Sequence, residues 1–296
     1  MLWDPSGLSA DRLVLPLNYF FVIQHFDGEH SLEQVAAAYF KRFGEFFLPE
    51  RLNKLVADLD EKLFLEGERA AAARRQAQAA YRESPVRPAA FSGRSYEADR
   101  EKLQAQLESF FRSKEGPGRQ PSEHAGKPVK ALVAPHYEPR QAGPVYAWAY
   151  KELKEAAPPE LVVIVGTCQA GLDHAFAVTD KDFETPLGRV PVDRTLLERF
   201  RERGGGPFFE EDLAHKSEHA VEFQLPFLQY VMEKRPFAVL PVLCAFSPSD
   251  VLDPQHKDRR ERIETFIRLF RDTLAASGKA VCVIASAELA HIGLRY

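Results

Sequence analysis

Residues 215–230 read HKSEHAVEFQLPFLQY and place His215, Glu218, His219, Glu222 and Gln224 within ten residues, ahead of an apolar run. If the stretch is helical, positions 215, 218, 219 and 222 share one face by i, i+3, i+4, i+7 spacing. Val221, Leu225 and Leu228 then form an apolar stripe on another face. Pro226 has no N–H for the carbonyl four residues back, so a kink or a fresh helix start is expected there. The plainer reading is a solvated helix end with two ordinary histidines. The surrounding chain has to choose between them.

From residue 129 onward, short apolar runs alternate with amphipathic helices. KALVA (130–134), LVVIVG (161–166), FAVLPVL (237–243) and AVCVIAS (280–286) have the Val, Ile, Leu and Ala content of strands covered on both faces. GPVYAWAYKELKEA (143–156), VDRTLLERFRERG (192–204) and RRERIETFIRLFRDTLAA (259–276) are the helices, with Pro144 read as a first helical position and Gly204 to Gly206 as a stop. This grammar predicts an α/β fold with a mixed, largely parallel central sheet and flanking helices.

Ligands of open α/β sheets bind beyond the carboxyl ends of the strands, so the residues just after each strand are the ones to read. They are Pro135-His136-Tyr137-Glu138, then Thr167-Cys168-Gln169, then Glu288 and His291. Together with His215 and His219 they offer four imidazoles, carboxylates and a thiol. Two imidazoles and a carboxylate make the donor set of non-heme iron sites and also suit zinc. One local motif competes. His215-Lys216-Ser217-Glu218-His219 matches the H-x-x-E-H pattern, in which His215 and His219 bind zinc and Glu218 activates water. No Gly-x-Gly-x-x-Gly, Walker-type or Gly-x-Ser-x-Gly sequence follows a strand.

Residues 1–66 read as a small, mostly helical, winged-helix-like module. Ser31 and Gln34 have capping-box spacing, Gly44 stops that helix, and Pro49 opens a second one. FLEGE (64–68) is expected to be a short strand or wing. Residues 67–86 are expected to be a solvated connecting helix and linker, and Tyr96–Arg112 another amphipathic helix. Residues 113–128, which include His124, are expected to be an exposed loop. The 296 residues are 45% hydrophobic and 28% charged with a formal charge of −4, which gives no long-range attraction to nucleic acid or anionic membrane. Cys168, Cys244 and Cys282 lie in or beside apolar runs as reduced thiols would, which suits a cytoplasmic protein. The start, MLWDPSGLSADRL, shows no basic region followed by an apolar core and no apolar run approaches a membrane span, so neither export nor insertion is expected.

Five stretches in order carry a family resemblance: RPAAFSGRSYEAD (87–99), APHYEPRQAGPVYAWAYKEL (134–153), FETPLGRVPVD (183–193), EHAVEFQLPFLQY (218–230) and ASAELAHIG (285–293). Through them residues 87–296 resemble the Memo-like family, the B component of the AmmeMemoRadiSam system. The resemblance implies a fold akin to class III non-heme iron extradiol dioxygenases and a pocket of histidines and a cysteine able to hold iron or copper. His136 and His219 fall on two of the pocket histidines. Gln169 stands where a third is expected, and Ala290 where some members have the cysteine. The expected metal ligands are then His136, His219 and Glu288. Gln169, Glu138 and Cys168 would flank the bound group, with His291 or His215 as acid or base. If active, the pocket would carry out metal-dependent oxidation of the dioxygenase type. The alternative is a non-enzymatic adaptor of a radical-SAM-associated system, docking a partner or peptide through the N-terminal module. Family members usually continue beyond the last motif, so chain beyond Tyr296 is expected.

Overall fold

The computed structural model describes residues 1–4, 8–9, 11–118, 125–233 and 235–288, and the chain divides into two units, Met1–Glu83 and Ser84–Tyr296. The first unit opens with an antiparallel pair, β1 (Leu2–Trp3) and β2 (Arg12–Leu13). Four helices follow: α1 (Leu17–Ile23), α2 (Leu32–Phe43), α3 (Pro49–Glu61) and α4 (Glu68–Glu83). The capping box forms as its spacing predicts. Gln34 N–H donates to Ser31 Oγ at 3.3 Å and Ser31 N–H to Gln34 Oε1 at 2.8 Å, while Gly44 closes the helix at φ 71°. Val35, Tyr39, Leu52, Leu55 and Leu59 form the unit's core.

One expectation changes here. Phe64 to Gly67 form no strand, because the chain turns after α3 with Leu63 at φ 63° and enters α4 at Glu68. Helix α4 lies within the first unit and is mostly exposed, burying only Ala70 and Tyr81, which three helical turns bring onto one face.

The second unit contains β3 (Val86–Arg87), α5 (Arg100–Arg112), β4 (Ala131–Pro135), α6 (Pro139–Glu155), β5 (Leu161–Thr167), β6 (Phe176–Val178), β7 (Asp182–Thr185) and β8 (Gly188–Val190). It continues with α7 (Arg194–Phe200), α8 (Gln224–Met232), β9 (Ala238–Cys244), α9 (Pro248–Leu252), α10 (Lys257–Ala275) and β10 (Val281–Ala287). The main sheet has the order β4-β10-β5-β9-β6, with the first four strands parallel and β6 antiparallel at one edge. A second, three-stranded sheet runs β3-β7-β8. The four long strands fall where the apolar runs place them. The two- to four-residue strands β3, β6, β7 and β8 are too short to show a period and go unread. Pro144 is interior to α6, which begins five residues earlier with Pro139 at its first position. Among the described residues no helix is long and apolar enough to cross a membrane.

Helices cover the main sheet from opposite sides. On one, Tyr150 of α6 donates to Gln224 Oε1 at 2.9 Å, and Gln224 Nε2 in turn donates to Pro135 O and to Ser286 Oγ at 2.9 and 2.7 Å. On the other, Phe266 of α10 stacks on Phe176 of β6 with centroids 4.0 Å apart.

Residues 215–230 do not form one helix. A short 3-10 turn, Asp212–Lys216, leads into an irregular segment, and α8 starts only at Gln224 with Pro226 in its first turn. The cause lies in the carbonyls a helix would need at its start. Those of His215 and Glu218 accept from the Arg87 guanidinium, at 2.9 and 3.0 Å. The N–H groups of His219 and Ala220 go to the Glu218 carboxylate instead. The segment then crosses β5 so closely that a Cβ on Gly166 would lie 2.6 Å from Ala220 Cβ. Gly166→Val should therefore destabilise the fold by about 1–3 kcal/mol in urea unfolding. A variant as stable as the wild type would show that the crossing segment is not held against β5.

Candidate functional site

Strand register assembles the site. Strand β10 lies between β4 and β5, pairing Ala287 with Pro135 and Ser286 with Gly166, so the residues that follow leave the sheet side by side. His136 Nε2 lies 3.0 Å from Glu288 Oε1, and Gln169 Nε2 donates to the same oxygen at 2.5 Å. Gln169 Nε2 is also 3.4 Å from His136 Nε2. The crossing segment adds His219, whose ring meets that of His136 edge to face with centroids 4.6 Å apart. Phe91 and Phe223 pack against His219 from the other side. These groups, with Ser95 and Glu138, line an open cleft of about 400 Å³. A larger groove of about 1400 Å³, past Arg100, Arg189 and Arg235, contains none of the candidate residues.

Behind the cleft, Glu218 is 7% exposed, and its carboxylate accepts the N–H groups of Gln169, His219 and Ala220 at 2.9, 2.7 and 3.1 Å. His219 Nδ1 is 3.0 Å away from it. Burial acts to raise the Glu218 pKa. The His219 hydrogen bond, the backbone donors and the imidazole charge outweigh it and hold the carboxyl down at about 2. For His136 burial is the largest influence, and with the neighbouring His219 it lowers the pKa against the opposing charges of Glu288 and Glu218. Each imidazole thus has its own carboxylate, buried for His219 and near the cleft mouth for His136.

The frame around this pair is a fully buried ion pair, Arg87 with Glu222. Glu222 also accepts from Tyr96 OH and from the N–H groups of Ala90 and Phe91, the latter two at 3.1 and 2.9 Å. The sequence places Arg87 in the opening RPAAFSGRSYEAD motif and Glu222 in the polar stretch at 215–224, but nothing in it pairs the two.

Glu138 lines the cleft and accepts from Ser95 Oγ at 3.2 Å. His215 does not reach the cleft. It is buried with Nε2 3.2 Å from the Ala177 carbonyl and contributes to the packing of the core. The zinc-peptidase reading fails on this point, because its two histidines are directed to different places. Cys168 is also turned away. It is buried, its Sγ lies 3.6 Å from Gly171 O, and burial pushes its thiol pKa up. His291, Ala290 and His124 lie outside the described residues.

An iron or copper centre, which the pocket chemistry suggests, needs several lone-pair donors aimed at one point. Among the described residues no three His, Cys, Asp or Glu side chains gather as a metal group. Position 169 presents an amide whose N–H occupies the Glu288 carboxylate, and the Cys168 thiol is directed elsewhere. The described residues do not fit an iron or copper centre.

Fold and cleft together define an α/β protein with a histidine-bearing cleft at the carboxyl ends of a largely parallel sheet. Residues 87–296 match the family model "Memo-like protein", and the chain belongs to that family. It is 41% identical over 162 residues to a MEMO1 family protein of Methanopyrus kandleri, covering 54% of this chain and 56% of that protein. To a MEMO1 family protein of Thermotoga neapolitana it is 33% identical over 212 residues, 70% of each chain. The match to a MEMO1 family protein of Aquifex aeolicus is 23% identical over 293 residues, taking in 99% of this chain and 72% of that protein. That alignment spans the first unit as well as the second. The fold is consistent with a relation to the extradiol dioxygenases.

Two outcomes test this account. Glu222→Ala, which strands the Arg87 charge in the core, should cost about 3–5 kcal/mol in urea unfolding, and a cost under about 1 kcal/mol would remove the pair from the frame. Burial, the main influence, pushes the His215 pKa down to about 3 from its ordinary 6.5. The unfolded chain therefore binds the extra proton in that window, and stability present above pH 6.5 falls as pH drops toward 3, by at most about 1.4 kcal/mol per pH unit for this group. Unfolding free energies between pH 7.5 and 4.5 should fall less steeply in His215→Asn, and equal slopes would assign the effect elsewhere.

Proposed function

We propose that the cleft is an acid–base site that binds a small polar ligand, with His219 as the group that accepts a proton from it. The observation that carries this reading is the pairing of His219 Nδ1 with the buried, ionised Glu218 at 3.0 Å. A carboxylate in that position holds the proton on Nδ1 and leaves Nε2 with its lone pair, the arrangement that general bases require. Glu218 is the positioning residue, and its backbone donors keep it ionised and oriented. His136, 2% exposed, sits against His219 and shares Glu288 with Gln169. These groups can receive or return a second proton and take hydrogen bonds from a bound ligand. The cleft size is that of small-molecule sites.

Nitrogen NMR of the imidazole rings tests the arrangement directly. Wild-type protein should show His219 as the Nδ1–H tautomer, and Glu218→Gln should bring in the Nε2–H form without unfolding the chain. A wild-type ring already protonated on Nε2 would refute the assignment. Elemental mass spectrometry on protein purified without a polyhistidine tag provides the second check. Substoichiometric metal is expected; one iron or copper per chain, lost in His136→Ala/His219→Ala, would replace this reading with the metal-dependent one.

A further inference from the structure

The walls of the cleft differ in chemistry from its floor, and the difference bears on what enters. Phe91 and Phe223 form an aromatic corner, their rings 5.3 Å apart and tilted by 76°. Phe91 already carries a cation, since the Arg94 guanidinium carbon lies 5.3 Å from its ring centroid. Two carboxylates, Glu138 and Glu288, open onto the same cleft. An anion brought into this space would meet two carboxylates against one guanidinium that is already stacked. A cation would meet two carboxylates and aromatic faces.

We propose that the ligand class of this cleft is an organic cation, a primary amine on a short apolar chain, its ammonium held by Glu138 and Glu288 and its chain laid along Phe91 and Phe223. The proposal rests on the reading of the cleft as a small-ligand site and narrows it to one charge type.

The experiment is a titration of the full chain, with ring-labelled histidine, by n-butylammonium, n-butanol and butanoate at matched pH and ionic strength. The ring signals of His136 and His219 report occupancy. Butylammonium should shift both saturably, butanoate should shift neither, and butanol should bind more weakly than the amine. Glu138→Gln and Glu288→Gln should each weaken the amine by about tenfold, and by clearly more than they weaken butanol. Butanoate or butanol binding as tightly as the amine would overturn the cation assignment while leaving the small-ligand reading intact. Amine binding indifferent to both carboxylate variants would overturn it in the same way. Silence from all three probes would also overturn it, and the tautomer of His219 then decides separately whether the acid–base arrangement survives.

Discussion

The cleft depends on one fully buried ion pair. Arg87 and Glu222 are 135 positions apart, and both are fully buried. Burying two charges is costly unless the remaining donors and acceptors are satisfied. Here they are taken up locally. The guanidinium donates to the carbonyls of Pro88, His215 and Glu218 and to Glu222. The Glu222 carboxylate accepts from Arg87, Tyr96 and two backbone N–H groups. The pair thereby ties the segment at 87–96 to the segment at 215–222. By capturing the carbonyls of His215 and Glu218 it prevents the helix that spacing alone would favour. It also releases the His219 and Ala220 N–H groups to the Glu218 carboxylate. The position of His219 thus follows from a hydrogen-bond substitution beginning at residue 87.

The same substitution marks the boundary of what the chain discloses unaided. His136, Gln169 and Glu288 were readable as neighbours because each directly follows a long apolar run, and such runs locate strand ends to within a residue or two. Parallel pairing then brings the ends together. His215 misled because the i, i+4 rule presupposes a helix, and the competing donor lies 128 residues upstream. No periodicity reports such a partner. The Ser31 cap was legible because it is wholly local. Phe64 to Gly67 were not, because the turn after α3, with Leu63 at φ 63°, overrides the weak extended preference of the run.

Gln169 shows how one residue redirects the chemistry of a strand end. An imidazole there would present a lone pair beside those of His136 and His219. The amide instead donates to Glu288 at 2.5 Å. One oxygen of that carboxylate thereby gains an amide donor, and the balance shifts from lone pairs pointing at a common centre toward donors and acceptors paired among themselves. Family membership therefore specifies the architecture of the cleft, while residue 169 alters what that architecture can hold.

The two imidazole–carboxylate pairs are wired differently, and this gives the cleft a direction. Glu218 is held by three backbone N–H groups in a buried position, so the His219 pair has one stable geometry. Glu288 is 38% exposed in its side chain and meets His136 from the mouth of the cleft. Water and ligand can compete for the second carboxylate but not for the first. Displacement of Glu288 by a ligand changes the environment of His136, whose pKa is balanced between burial and that nearby charge. The edge-to-face contact sets His136 directly against His219, whose orientation is fixed by Glu218. The proposed base is thus held rigidly beside a partner whose carboxylate is open to exchange, and the difference between the two lies in side chains and asks no movement of the sheet.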